Sequence, residues 1–108
     1  MSLSRTKISC NLSITDGNAY IQAVQVPDGS MNITAQFAYS GLDVNVTATL
    51  QQSLDGKNYD DVVSLMLDKD DSSATLNVIE VLSTWVRFYV QVGTASTGVI
   101  SDCYFSFN

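Results

Sequence analysis

Histidine is absent from this 108-residue chain, proline and tryptophan occur once each, and cysteine occurs twice. Without imidazole the commonest general base is gone, and so is any Ser/His or Cys/His nucleophile pair. Two cysteines without histidine cannot build an ordinary structural zinc site. Cations are scarce too: Arg5, Lys7, Lys57, Lys69 and Arg87 stand against 11 acidic residues, a formal charge of −6. A nucleic-acid backbone requires clustered Lys and Arg, so that partner is disfavoured. No apolar run approaches the roughly 20 residues that span a bilayer, so no membrane partner is expected. The opening MSLSRTKISCNLS lacks the continuous apolar stretch of a secretory signal. Cys10 and Cys103 are therefore expected to be free thiols packed as small apolar groups, in a chain made in the cytoplasm.

What the sequence does have is alternation. Ile8, Cys10, Leu12 and Ile14 share one face; so do Met31, Ile33, Ala35, Phe37 and Tyr39, and then Leu42, Val44, Val46, Ala48 and Leu50. Val86, Phe88, Val90 and Val92 repeat the pattern, and Val99, Cys103, Phe105 and Phe107 close it. Period two marks half-buried strands, with residues such as Thr49 turned to solvent opposite Leu50. Turn signals separate the runs at Asp16-Gly17-Asn18, Pro27-Asp28-Gly29, Ser40-Gly41, Asp55-Gly56, 68–73 and 93–98.

About eight strands result, over residues 5–14, 19–26, 31–39, 43–53, 59–67, 74–82, 84–93 and 99–107. A helical turn within 59–67 also fits the spacing of Val62, Leu65 and Met66. The expected fold is all-β: a single antiparallel β-sandwich of immunoglobulin-like or jelly-roll kind, with residues 1–108 forming one domain. Its core draws on Ile8, Leu12, Ile33, Phe37, Val44, Val46, Leu50, Leu76, Val78, Phe88, Val90 and Phe105.

The stretch SLDGKNYDDV reads as a hairpin, because Asp-Gly supplies the left-handed position that other residues resist. Tyr59 begins the return strand. With its preceding strand, TLQQSLDGKNYDDV resembles a pattern in small β-sandwich virion proteins of tailed bacteriophages: a strand, Ser-x-Asp-Gly, two residues, then an aromatic. WVRFYVQVGTASTGVIS is similar to their penultimate hairpin, and together the two matches cover about half the chain. Tyr59 stands where that family commonly has Trp. The resemblance implies a non-enzymatic structural protein, an auxiliary or decoration protein on the capsid exterior, of crAss-like phage among others. Its implied partners are the major capsid or another repeated virion protein, and itself. The same hairpin occurs in carbohydrate-binding and adhesive sandwiches, which makes a tail-fibre or head-fibre module the alternative.

Specific sites are few. Two carboxylates could run glycosidase chemistry, but the acids fall in turns and Glu80 is the sole glutamate. No enzyme activity and no cofactor are expected. Asp68, Asp70 and Asp71 lack the ligand spacing of a calcium loop and read as a solvated turn, so no metal is expected. Asn11, Asn32 and Asn45 open glycosylation sequons, but each is read as lying within a strand, where Asn-apolar-Thr is mere alternation. Trp85 and Tyr89 flank Arg87 on one strand face, either as a platform for sugar or as a contact between subunits. The interaction candidates are Trp85, Arg87 and Tyr89 with the hairpin residues Asp55, Lys57 and Asn58.

Overall fold

The computed structural model describes residues 4–78 and 83–108. Its strands are β1 (Ser4–Ile8), β2 (Leu12–Ser13), β3 (Ala19–Tyr20), β4 (Val24–Gln25), β5 (Ile33–Ser40), β6 (Val46–Ser53), β7 (Asp60–Leu67), β8 (Ser73–Val78), β9 (Trp85–Gln91) and β10 (Val99–Phe107). They form two antiparallel sheets. One runs β1-β10-β5-β8, with β2 also on β10; the other runs β3-β9-β6-β7, with β4 also on β9.

The pairs β1/β2 and β3/β4 each act as one interrupted leg, so ten strands make the eight legs expected. Consecutive legs switch sheets at every connection except the β6–β7 hairpin. That order is a jelly roll, which decides between the two kinds of sandwich that alternation alone left open.

The core forms where the inner faces meet. Phe88 of β9 lies edge-on to Phe37 of β5 at 4.7 Å and stacks with Phe105 of β10 at 5.6 Å, and Phe105 stacks on Phe107 at 5.7 Å. These four rings are fully buried and join the sheets, each contributing about 1.5–3 kcal/mol of apolar transfer. Ile33, Val46, Leu50 and Val90 are buried beside them, as their alternation requires.

Several expectations need correction. The first strand does not run unbroken from 5 to 14. It stops at Ile8, Asn11 takes a left-handed conformation with φ of 41°, and Ile14–Asp16 form a 3-10 turn. The Asn11 N–H donates to the Ser101 carbonyl at 3.1 Å, where the β10 register shifts between Ile100 and Asp102. The extra residue in β10 turns Ile100 inward and leaves Val99 40% exposed, so Val99 is not on the core face.

Ile8, Leu12, Leu76 and Val78 are only half-buried because they lie on edge legs, and Val44 because it precedes β6. Residues 59–67 hold a strand without a helical turn. The run 19–26 splits into β3 and β4, with buried Ile21 between them. The last part of the expected strand 74–82, including Glu80, lies outside the described residues. The sequon asparagines are not inside strands: Asn11 sits in the break, and Asn32 and Asn45 precede β5 and β6.

The largest difference concerns β6. Thr49, Gln51 and Ser53, on the side read as facing water, are 6%, 9% and 4% exposed. Both faces of this strand are covered, and what covers the second one forms the site.

Candidate functional site

Strand β9 lies between β6 and the β3/β4 leg, so its outer side chains meet those of both neighbours. Arg87 is opposite Gln51, Tyr89 is opposite Thr49, and Tyr89 also pairs with Tyr20. The guanidinium carbon of Arg87 lies 4.0 Å from the centre of the Tyr20 ring and 3.8 Å from that of Tyr59. Two aromatic rings therefore hold one cation, a stack suited to the planar guanidinium. Tyr20 also rests on Tyr89, with centroids 4.6 Å apart.

Polar contacts fix the stack below. Arg87 Nε donates to Gln51 Oε1 at 2.9 Å, and Gln51 Nε2 donates to Asp61 Oδ1 at 2.9 Å. Thr49 and Ser64 hydroxyls share a hydrogen bond of 3.0 Å on the same side. The relay explains how Gln51 tolerates burial: its amide oxygen and nitrogen both have partners. A shift in the β6–β7 register between Leu50 and Gln51 sets Asp61 opposite Gln51.

Sequence reasoning put Arg87, Trp85 and Tyr89 on one face, and the structure does so. It does not join Trp85 to Tyr89 as a pair. Tyr89 stacks with Tyr20, while Trp85 lies under the hairpin, where a Cβ at Gly56 would sit 3.2 Å from its indole nitrogen. Tyr20, Gln51 and Asp61 were missed. A Tyr on the polar side of a short strand is a weak signal, and only the register between strands shows which neighbour it meets.

Asp55 shapes the hairpin. Its Oδ1 accepts from the N–H groups of Asn58 and Lys57 at 2.8 and 2.9 Å and from the Ser53 hydroxyl at 2.9 Å, and Oδ2 accepts from the Asn58 amide at 2.7 Å. These donors, the Asn58 N–H first, hold its carboxyl well below the usual carboxylate range. A carboxylate so fully engaged serves the loop. Asn58 is tied up with it, and the exposed Lys57 is the hairpin's outward-facing cation. Beside the hairpin is an open cleft of about 490 Å³ lined by Gln52, Ser53, Leu54, Asp55, Asn58, Asp60 and Ser83.

The other end of β6 is built in the same way. Asp43 accepts from the Ser96 hydroxyl at 2.7 Å and from the Ser96 and Thr97 N–H groups at 3.0 and 3.2 Å, which lowers its pKa likewise. In the acidic turn, Asp68 Oδ1 accepts from the Asp70 N–H at 2.9 Å and Lys69 pairs with Asp70 at 3.1 Å. Among the described residues, no three metal-ligating side chains cluster. Cys10 and Cys103 are free; burial raises both thiols, that of Cys103 to about 12.

No protein-family model matches the sequence, and no curated protein is significantly similar to it. Solved structures do match in fold. The SPBc2 prophage-derived protein YomS superposes with a TM-score of 0.64 at 9% identity, over 100% of this chain and 96% of that one. A protein of the disulfide-linked pili that form Bacillus endospore appendages gives 0.52 at 18% identity, over 99% and 88%. A protein of infectious bursal disease virus, Gx strain, gives 0.51 at 9% identity, over 99% of this chain but 33% of the viral one. At these identities the likeness is one of fold.

Proposed function

We propose that this is a non-enzymatic structural component of a tailed-phage particle, an auxiliary or decoration protein on the outside of the capsid. The observation that carries this reading is the end-to-end superposition on a prophage-derived protein: the jelly roll accounts for both chains almost entirely. Without histidine the commonest general base is missing, which favours a role carried by the surface. A shell offers many equivalent sites, so modest contacts with the major capsid protein and with neighbouring copies add up to stable attachment. Gel densitometry of purified particles tests the proposal. Copies comparable in number to the shell subunits support it, a dozen or fewer favour a tail or fibre position, and absence from particles removes it.

A second reading, an adhesive or carbohydrate-binding module of a fibre, is favoured by one observation, the Tyr20–Arg87–Tyr59 stack on an outer sheet face. Preorganised aromatic side chains beside a hydrogen-bonding cation are what a glycan site needs.

A further inference from the structure

Arg87 has three fixed neighbours. The Tyr20 and Tyr59 rings lie within about 4 Å of its guanidinium carbon, and Nε donates to Gln51. A guanidinium has five N–H donors, so four remain on the terminal nitrogens. Among the described residues these nitrogens have no protein acceptor, no carboxylate within ion-pair reach, and no burial that would leave them unsatisfied. They are therefore not sealed from solvent on the half-buried Arg87, and a guanidinium held at Nε keeps a flat fork of donors of the kind that matches a carboxylate. The entropy of ordering a long side chain has been spent in folding and need not be lost again on binding.

We infer that this fork is the carboxylate-binding subsite of a glycan site, and that the glycan carries a sugar acid such as a hexuronic or sialic acid. The inference rests on the adhesive reading. Charge favours a monoanion, since the body is acidic at −6 and Asp61 stands behind Gln51, which disfavours a dianionic phosphate. A sugar fits the rest of the rim, because Tyr20, 57% exposed, and Tyr89 beside it offer ring surface and hydroxyls to a pyranose next to the fork.

Calorimetric titration tests this with four probes of matched length, each acidic one carrying a single carboxylate: a galactan oligomer capped by one galacturonate, the same oligomer capped by one sialic acid, the uncapped neutral oligomer, and a peptide with one glutamate and blocked ends. One of the two sugar acids should bind at least ten-fold more tightly than the neutral oligomer and than the peptide, and raising salt should weaken that contact. Arg87→Gln should lower affinity on the order of ten- to a hundred-fold. Arg87→Lys should not restore it, because an ammonium keeps the charge without the fork. Tyr20→Leu, read beside a melting curve that shows the fold retained, should lower affinity too. Equal binding of acidic and neutral glycans would remove the carboxylate subsite and keep the adhesive reading. Preference for the single-glutamate peptide would replace the glycan by a protein partner. Binding of neither sugar acid to the parent chain would overturn the inference.

Discussion

Strands β5 and β6 are both eight residues long and both central, each between two neighbours in its own sheet. Strand β5 obeys alternation: Ile33, Ala35, Phe37 and Tyr39 are buried, while Thr34, Gln36 and Ser40 are exposed. Strand β6 buries Thr49, Gln51 and Ser53 as well as Val46, Ala48 and Leu50. The side chains themselves do not cause the difference, since both strands alternate apolar with small polar residues. It comes from the partners. Across from Gln36 stand Tyr104 and Thr75, which leave it open; across from Gln51 stand Arg87 and Asp61, which close over it. A polar sheet face becomes a second interior when long side chains on adjacent strands lie down across it.

The largest effect expected is from Leu50→Asp. An unpaired carboxylate at a fully buried position costs several kcal/mol, comparable with a whole domain's stability of about 5–15 kcal/mol. Soluble yield and circular dichroism should show no folded protein. Thr49→Asp and Gln36→Asp then break the comparison directly. The first loses the Ser64 hydrogen bond and buries a charge, costing about 2 kcal/mol, whereas the second should stay within about 0.5 kcal/mol. Equal melting temperatures for these two variants would show that the outer face of β6 is as open as that of β5.

Gly98→Ala tests the loop that meets the start of β6. With φ of 125°, a new Cβ would lie 2.6 Å from Leu42 Cδ2 and 3.1 Å from the Leu42 backbone, so a loss of about 1–3 kcal/mol is expected in denaturant melts.

The smallest effect is acid sensitivity, and it too distinguishes the strands. Asp43 and Asp55 bracket β6 at its two ends. Both have folded pKa values below the ordinary 3.8, so the folded state binds fewer protons than the unfolded chain. Their contribution is fully present above about pH 4 and fades as the pH falls through and below that value. Both carboxylates are solvent-exposed, so the expected change is a shallow decline in melting temperature below pH 4. Asp55→Asn should reduce that slope.

The sequence was informative wherever one residue's environment depends on its own strand. Inner faces, turns and the Asp55-Gly56 hairpin came from alternation and left-handed glycine, both local properties. The exceptions have a physical pattern. Val99 was misplaced because the irregularity at Ser101 depends on Asn11, about ninety residues away. Tyr20 was missed, and Trp85 was joined to Tyr89, for the same kind of reason: strand pairing decides that Tyr89 meets Tyr20, while the indole lies beside Gly56. Arg87, Tyr89 and Asp55 could be named from the sequence, but their roles could not. Asp55 proved to be a loop organiser, while Arg87 proved to be the centre of a stack contributed by three different strands and a loop.

Ser4 pairs with Phe107, and among the described residues β1 has no neighbour in its sheet but β10. During synthesis β1 must wait for the β10 residues it pairs with until nearly a hundred more residues have been made. The β6–β7 hairpin can close early, whereas the sheet holding β1 cannot be completed until β10 is released. Non-local pairing of this kind slows folding and prolongs the exposure of unpaired apolar strands. That interval is when unpaired edges of unfinished chains can meet one another, so closing the last strand onto the first removes the edge that would otherwise template such pairing.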